Sequence, residues 1–416
     1  MRYTLLKNTV FLTLLGFISC INITKKEYIQ GGIEDIDLTL NLELDTAVVT
    51  GSNRTASYLP MLQGKKVGIV TNASGLIFKS WPHTKAKSTH IVDSLLAHNI
   101  DIRKVFAPEH GFRGAADAGE IVHDEKDIKT GLPIISLHGK NKKPTQEQLE
   151  DIDLLLFDIQ DVGVRFYTYI ATLQYIMEAA AKKGIPVIVL DRPNPNGHYV
   201  DGPLMQPEHT IFLGLQPIPL VYGMTIGEYA LMINKEGWLE DKAHSDLTVI
   251  PLEHWTHQTT YSLPVRPSPN LPNDKAINLY PSLGLFEGTT INAGRGTEMQ
   301  FQVFGSPKLP ADAYTFSYTP QPNFGAKYPK EQGNRCQGLD LRAVSKMETV
   351  DLSWLIDAYS AHQDKANFFK TKGFTLHAGT SKLQEQIEAD VSFNIIKEGW
   401  KAVSYTHLTL PTTPYV

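Results

Sequence analysis

The segment LLLFDIQDVGVR, residues 154–165, contains the pattern on which the fold prediction rests. Four apolar residues, Leu154 to Phe157, come first, and Asp158 opens a run that mixes polar residues, a glycine and β-branched residues. A short apolar run bounded in this way is typical of a strand in the interior of a sheet. The segment therefore predicts a buried β-strand that leads into polar side chains.

Similar short apolar runs recur from Lys65 onward, with helical stretches between several of them. This alternation predicts a parallel sheet covered by helices. The predicted strands are Lys66–Thr71, Ile102–Ala107, Pro133–Leu137, Leu154–Ile159, Pro186–Leu190 and Leu247–Pro251. The predicted helices are one with the apolar stripe Ile91, Val92, Leu95 and Leu96, one from Thr168 to Lys183 that Gly184 ends, and one from Thr225 to Lys235.

The sequence changes character beyond Leu252. Five prolines lie between residues 264 and 281, and a loop-rich part up to about Gln337 precedes a helix predicted near Val350–His362. Proline-rich stretches of this kind mark domain crossovers. The chain has 416 residues, of which 42% are hydrophobic and 20% charged, so it is long enough for two domains. We predict an α/β fold class, with a parallel-sheet domain at 61–255 and a second, smaller α+β domain at 256–401.

The N-terminus has the layout of a secretory signal peptide. Arg2 and Lys7 precede an apolar run from Thr9 to Ile18, which is too short to span a membrane. Cys20 follows shortly after this run. A cysteine at this place resembles the acylated cysteine of bacterial lipoproteins. We expect lipidation at Cys20 and export to the periplasm or the cell surface, with the lipid anchor as the only contact to a membrane. The alternative is a plain signal peptide with an incidental cysteine.

Two more segments fall outside the predicted domains. Residues 21–60 are polar and show no sustained period, which predicts a tether between the lipid anchor and the folded part. At the other end, Ser404 to Val416 contains no Asp, Glu, Lys or Arg. We interpret residues 402–416 as a non-native tail that replaces a C-terminal helix, with a genuine disordered end as the alternative.

Composition and motif spacing exclude several function classes. The formal net charge is −5 and no basic patch indicates nucleic-acid binding. The 14 histidines and 2 cysteines include no zinc-binding spacing, so we expect no metal. Neither a P-loop nor the glycine fingerprint of dinucleotide-binding proteins follows the first strand, and we expect no cofactor.

Polar residues cluster directly after three of the predicted strands. The carboxyl ends of parallel strands meet at one edge of a sheet, so this pattern predicts a polar cleft there. Hydrolysis of a glycosidic bond requires a protonated carboxylic acid and a second group that stabilises or attacks the oxocarbenium ion. The catalytic candidates are Glu109, His110, Glu120 and Asp161.

The remaining candidates would bind the substrate. An aromatic ring such as that of Tyr167 suits the apolar face of a sugar. Glu287 and Arg295 lie in glycine-rich turns of the second predicted domain, which would close the cleft. The full set of substrate-binding candidates is Asn72, Arg113, Asp158, Arg165, Tyr167, Asp191, Arg192, Asn194, Glu287 and Arg295.

Each of these residues also has a structural alternative. Asp158 and Asp191 fit a helix cap or a salt bridge with an arginine equally well. His110 fits a hydrogen-bonded structural role, and Tyr167 fits core packing. For Arg295 the alternative is a tight turn in which Arg295 and Glu298 neutralise each other.

Several long motifs, taken together and in order, resemble those of the bacterial exo-β-N-acetylmuramidase family, long catalogued as a domain of unknown function. The resemblance extends from about Lys65 to Gly399. It implies a Rossmann-like N-terminal domain, a smaller C-terminal domain, and a cleft that takes a terminal N-acetylmuramic acid residue from the non-reducing end of peptidoglycan fragments. The glutamate of the family's Pro-Glu-His-Gly motif, to which catalysis is ascribed, falls on Glu109. The motifs are Gly68–Asn72, Pro108–Gly114, Asp158–Tyr169, Asp191–Pro195, Glu287–Thr289 and Gly294–Thr297.

The resemblance makes a peptidoglycan-derived sugar the expected partner. N-acetylmuramic acid carries a lactyl carboxylate, and Arg165 or Arg295 is the expected bidentate partner for it. One alternative is a non-catalytic surface lipoprotein that binds cell-wall sugars in the same cleft. Another is a hydrolase of a different bond, such as an esterase or a deacetylase, although the Gly-x-Ser-x-Gly elbow of such enzymes does not occur.

Overall fold

The structure is a computed structural model that describes residues 47–109, 111–113 and 125–407, with the backbone alone for 401–407. The predicted signal peptide with Cys20, most of the predicted tether, and residues 408–416 lie outside the described residues. Within the described part of the chain, no helix is long and apolar enough to cross a membrane.

The main sheet has seven strands, and its six longer strands are those that the sequence predicts. Their bounds are β1 Lys66–Thr71, β4 Asp101–Ala107, β5 Glu125–Lys126, β6 Pro133–Ser136, β7 Leu154–Asp158, β8 Val187–Leu190 and β9 Leu247–Ile250. The order across the sheet is β5-β6-β4-β1-β7-β8-β9. All neighbouring strands run parallel except β5 and β6. Each of the six predicted strands is confirmed to within one residue at either end.

This strand order produces a crevice in the middle of the sheet. The first strand of the sheet along the sequence is β1. The strands β4 and β6 follow on one side of it, and β7, β8 and β9 then follow on its other side. The direction of winding therefore reverses between β1 and β7, as it does in a Rossmann fold, and ligands of such sheets bind at this point. Every residue of β7 and β8 is buried, which explains why both strands are apolar runs without alternation.

Within the ranges that the structure describes, four α-helices accompany the main sheet, and local capping interactions explain where two of them begin or end. The bounds are α1 Thr55–Leu62, α2 Ile91–Ala97, α3 Tyr169–Lys183 and α4 Ile226–Lys235, and a hairpin of β2 Leu76–Phe78 with β3 Ser88–His90 precedes α2. Gly184 takes a left-handed φ of 67° and terminates α3. Thr225 caps α4 and exchanges hydrogen bonds with Glu228, which forms a capping box.

Up to residue 407, the second part of the chain contains a small antiparallel sheet and five α-helices. Its elements are α5 Asp274–Leu283, β10 Val303–Ser306, β11 Phe316–Tyr318, β12 Cys336–Asp340, α6 Ser353–Ala361, α7 Thr371–Ala378, α8 Lys382–Glu388 and α9 Phe393–His407. The helix predicted near Val350–His362 is α6. The three strands are absent from the sequence prediction because they are short, and the paired Gly305 and Gly338 weaken their pattern. The α/β fold class with a smaller α+β part is confirmed.

The predicted boundaries of the domains can be compared with the packing. One hydrophobic core extends from Val70 to Ile396, so the boundary between residues 255 and 256 stays a prediction. Val49 pairs with Glu253, and Tyr58 is fully buried, so the folded part begins upstream of residue 61. The helix α9 runs through residue 402, at which the tail was predicted to begin.

Candidate active site

A cavity of about 160 Å³ lies beyond the carboxyl ends of β4 and β7. Residues from both parts of the chain line it, and they include carboxylates, aromatic rings and an arginine. This position corresponds to the crevice that the strand order creates. The lining residues are Glu109, Phe166, Tyr167, Thr168, Tyr169, Leu213, Ser268, Asn270, Leu271, Tyr280, Glu287, Arg295, Phe301 and His377.

Glu109 lies two residues beyond the end of β4 and is half-buried. The hydroxyl of Tyr169 donates a hydrogen bond of 3.4 Å to the backbone oxygen of Glu109 and accepts one of 2.9 Å from Nδ2 of Asn72. Asn72 follows β1 directly and is itself buried. The ends of three neighbouring strands thus hold the backbone of Glu109 at the cavity wall.

Glu287 is the second carboxylate that lines the cavity among the described residues. Its Oε2 lies 3.0 Å from Nη1 of Arg295, and the ammonium of the half-buried Lys330 donates to the backbone oxygens of Phe286 and Glu287. Burial raises the pKa of Glu287, but the positive charges of Lys330 and Arg295 outweigh burial, and the net pKa is lower than usual. The Glu287 carboxylate is therefore ionised at neutral pH.

Arg295 is linked to Asn270 through one carbonyl. The backbone oxygen of Gly325 accepts a hydrogen bond of 3.3 Å from Nη2 of Arg295 and one of 2.7 Å from Nδ2 of Asn270. Among the residues that the structure describes, Nε of Arg295 and Oδ1 of Asn270 are buried without a hydrogen-bond partner. A buried polar atom without a partner costs about 1–3 kcal/mol, and such atoms in a cavity indicate a ligand that satisfies them.

The aromatic residues form one wall of the cavity. The hydroxyl of Tyr167 donates to the backbone oxygen of Pro267 at 2.5 Å, and its ring packs edge-on against Tyr169 at 4.8 Å between centroids. Tyr280 is near both cavity carboxylates: burial first, and then the charges of Glu287 and Glu109, raise its pKa well above the ordinary value. Tyr280 therefore stays a neutral hydroxyl between the two acidic groups.

Asp158 and Asp191 take the structural alternative that the sequence left open. Asp158 is fully buried and accepts two hydrogen bonds from Arg192, at 2.6 Å from Nε and 2.9 Å from Nη2. Asp191 accepts from the backbone nitrogen of Gly227 and the hydroxyl of Thr225, at the start of α4. Asp158, Asp191 and Arg192 do not line the cavity.

Asp161 and Asn194 shape the loops beneath the cavity. Asp161 is 5% exposed, and its Oδ2 accepts hydrogen bonds from the backbone nitrogen of Gly163 and the hydroxyl of Tyr222. Burial raises the pKa of Asp161 to about 6. Asn194 donates to the backbone oxygen of Met224 at 2.8 Å. Neither Asp161 nor Asn194 lines the cavity.

Two further arginines outside the cavity, Arg113 and Arg165, also have other partners. Arg113 forms ion pairs with Asp127 and Asp93. Arg165 is 1% exposed, and its guanidinium donates to backbone carbonyl oxygens rather than to the cavity. Of the two arginines expected to pair with a lactyl carboxylate, only Arg295 therefore lines the cavity.

The segment that follows Glu109 is only partly described. His110 and Glu120, two of the four catalytic candidates, lie outside the described residues. In the described ranges 47–109, 111–113 and 125–407, no group of three His, Cys, Asp or Glu side chains is arranged to hold a metal ion.

Comparison with known families decides the relationship. The family model described as exo-β-N-acetylmuramidase NamZ, N-terminal, matches residues 67–275, and its C-terminal counterpart matches residues 278–407. The chain belongs to the NamZ family of exo-β-N-acetylmuramidases. The resemblance inferred from the motifs is thereby confirmed.

A relative and two solved structures show how far the likeness extends. The peptidoglycan β-N-acetylmuramidase NamZ of Bacillus subtilis (strain 168) is 42% identical over 360 residues, which cover 82% of this chain and 84% of that protein. Crystal structures of two DUF1343-family proteins from Bacteroides fragilis NCTC 9343 superpose with TM-scores of 0.78 and 0.73, at 41% and 28% identity. Each covers 86% of this chain and 96% of the other chain.

Several cavity residues of this NamZ-family chain escaped the sequence prediction. Asn270 lies in the proline-rich crossover, Tyr280 on α5 and His377 on α7, and none stands in a motif that the sequence analysis singled out. The proline cluster marked the region of Asn270 but not its side chain. No local signal marks Tyr280 or His377, because each lies on a helix whose apolar residues dominate the pattern.

Proposed function

We propose that this chain is an exo-acting β-N-acetylmuramidase that releases terminal N-acetylmuramic acid from the non-reducing end of peptidoglycan fragments by glycosidic hydrolysis. The observation that carries the proposal is one cavity that Glu109 and the incompletely bonded Arg295 both line. The first supplies a carboxyl group for acid catalysis, and the second supplies a cation for the substituent that distinguishes a muramic acid. Membership of the NamZ family supports the same activity.

Glu109 is the proposed general acid. Glycosidic cleavage requires a carboxylic acid that protonates the leaving oxygen. Glu287, the other cavity carboxylate among the described residues, is held in the ionised form by Lys330 and Arg295. An ionised carboxylate that is paired with Arg295 and stabilised by the charge of Lys330 has no proton to donate, so this role falls to Glu109.

Arg295 is the proposed partner of the lactyl carboxylate. The cluster formed by Arg295, Lys330 and Glu287 contains two positive charges and one negative charge. The surplus positive charge favours an anionic substituent, and the unused N–H at Nε provides a donor for it. Glu287 then orients Arg295, because their ion pair limits the positions of the guanidinium.

Hydrolysis is favoured over a purely sugar-binding role. A binding site without chemistry requires no acid at the glycosidic oxygen, whereas this cavity places Glu109 on a backbone held by Tyr169. The relative from Bacillus subtilis is named a β-N-acetylmuramidase and shares 42% identity with this chain. Both observations support an enzyme.

The test is the release of chromophore from a chromogenic β-N-acetylmuramide and from the matching N-acetylglucosaminide. Glu109→Gln keeps the shape of the side chain and removes the acid, so we expect the rate on the muramide to fall by at least about 100-fold. Glu236→Gln, an exposed position, is the matched control and keeps the wild-type rate. No release of chromophore by the wild type, together with binding of wall fragments, supports the non-catalytic alternative instead.

We also propose that the protein is exported and lipid-anchored through Cys20, as the layout of the N-terminus indicates. The test is expression in a bacterial host with a clickable fatty acid. Label and membrane association are expected in the wild type and lost in Cys20→Ser. Cys336→Ser is the control, because Cys336 is buried and its thiol pKa is raised to about 12. Equal labelling of Cys20→Ser and the wild type contradicts the proposal.

A further inference from the structure

Arg165 is a buried cation that the proposed reaction does not use. Its Nη1 donates to the backbone oxygens of Pro203 and Ile218 at 2.6 and 2.8 Å. Its Nη2 donates to the backbone oxygens of Ala378 and His377 at 2.6 and 3.2 Å. All four partners are carbonyls, and two of them close the C-terminal end of α7, where the helix dipole is negative. Arg165 thus binds the end of α7 to the loops that surround the cavity.

The close packing around Arg165 fixes the position of this end of α7. A Cβ atom on Gly379 would lie 2.5 Å from Nη2 of Arg165, and φ of Gly379 is +80°, a value that favours glycine. Gly379 is the residue at which α7 ends. The side chain that this arrangement positions on the last turn of α7 is His377, which lines the cavity.

The imidazole of His377 is oriented by its own helix. Nδ1 lies 2.8 Å from the backbone oxygen of Gly373, and because a carbonyl only accepts, Nδ1 carries the proton. Burial lowers the pKa of His377, so the ring is neutral at pH 7. Within the described part of the chain no hydrogen bond engages Nε2. Nε2 is therefore a fixed hydrogen-bond acceptor on a cavity residue.

The position of His377 relative to the charged residues suggests which sugar atom it meets. The carboxylate of Glu287 acts on His377 electrostatically and also pairs with Arg295, and all three residues line the same cavity. The lactyl group of N-acetylmuramic acid is on C3, and the substituent next to it on the ring is the hydroxyl on C4. C1, at which Glu109 acts, lies across the ring from C4.

We propose that Nε2 of His377 accepts a hydrogen bond from the free 4-hydroxyl of the terminal sugar, and that Arg165 is the positioning residue for His377. The inference rests on the proposed function. An internal residue of a β-1,4-linked chain has no proton on O4, because that oxygen carries the next sugar. His377 would thus select chain ends, which is the property that makes the enzyme exo-acting.

The experiment compares kcat/KM for a chromogenic β-N-acetylmuramide and for its 4-deoxy analogue. The wild type is expected to lose about 10- to 100-fold on the 4-deoxy compound, because the buried acceptor is left without a donor. His377→Phe keeps an aromatic ring but has no acceptor. Its kcat/KM for the parent compound is expected to fall by about the same factor, whereas its kcat/KM for the 4-deoxy analogue should equal that of the wild type. His377→Gln, which restores an acceptor oxygen, is expected to recover part of the discrimination. Arg165→Lys is expected to lose the discrimination between the two compounds, together with part of the rate on the parent compound.

The control is His198→Phe, a half-buried histidine whose Nε2 contacts the backbone oxygen of Met347 away from the cavity. This substitution should change kcat/KM for both compounds by the same factor. The inference is overturned if His377→Phe lowers the rates on both compounds by the same factor, since that result describes damage to the site as a whole. Absence of release from the parent compound by the wild type overturns the proposed function itself, and the two failures are thus distinguishable.

Discussion

Nη1 of Arg295 lies 3.0 Å from Oε2 of Glu287, on the wall of the cavity that Glu109 also lines. The pair is half-buried, with side-chain exposures of 27% and 21%. Lys330 adds a second positive charge next to Glu287 and is half-buried as well. Because the charges of Arg295 and Glu287 cancel, Lys330 leaves this cluster with one net positive charge, which favours an anionic sugar next to the proposed catalytic carboxyl group.

Replacement of Arg295 should change the choice of substrate more than the chemistry. In Arg295→Met we expect kcat/KM for the chromogenic N-acetylmuramide to fall about 10- to 100-fold, because a charge-assisted hydrogen bond is lost. Activity on the N-acetylglucosaminide, which has no lactyl group, should stay within about twofold. Arg335→Met, an exposed arginine, is the control. Equal losses on the two substrates rule out lactyl recognition by Arg295.

Glu287 should stabilise the protein in a pH-dependent way. Its pKa is lower in the folded protein than the ordinary value of 4.5, so its contribution is present above pH 4.5 and is lost as the pH falls through the lower folded value. Glu287→Gln should therefore lower the Tm at pH 7 and differ less from the wild type at pH 3. Thermal denaturation monitored by circular dichroism between pH 3 and 7 measures this. A difference in Tm that is independent of pH contradicts the assignment.

Asp161 should have the opposite effect on stability. Burial raises its pKa to about 6, so the ionised form is penalised in the folded state and stability is lost as pH rises from about 4 to about 6. In Asp161→Asn one oxygen still accepts from Gly163 and Tyr222, and the charge is gone. Relative to the wild type, the variant should gain up to about 3 kcal/mol in the free energy of unfolding between pH 4 and pH 7. Parallel stability curves for the two proteins argue against a raised pKa.

The Asp158–Arg192 pair should be essential for the stability of the sheet. Removal of one partner of a buried pair leaves an uncompensated charge and costs about 3–5 kcal/mol, so Asp158→Asn should shift the urea midpoint strongly. Asp340→Asn removes a partner from the more exposed Arg342 pair and should cost less than about 1 kcal/mol. Similar midpoints for the two variants contradict this account.

The parallel sheet was predictable from the sequence because its signal is local. The burial of β7 on both faces requires an apolar run, and Thr225 and Gly184 mark helix ends through their own backbone and side-chain chemistry. The small antiparallel sheet was not predictable, because Gly338 lies close against the backbone of Phe304 and contributes no side chain to a pattern. Such a contact exists only after the strands have paired.

The sequence by itself determined the positions of six strands between residues 66 and 250, the cluster of polar residues after three of them, and the choice of Glu109 as a candidate site residue. Only the tertiary structure decided which polar residues are structural and which line the cavity. Asp158, Asp191 and Arg165 carry the same functional groups, carboxylates and a guanidinium, as Glu109, Glu287 and Arg295, but their partners are an arginine, a helix start and four carbonyls. A side chain's role depends on whether nearby groups already satisfy its charge, and those groups come from distant parts of the chain. His377 shows the same dependence, because its place in the cavity results from a guanidinium 212 residues away in sequence.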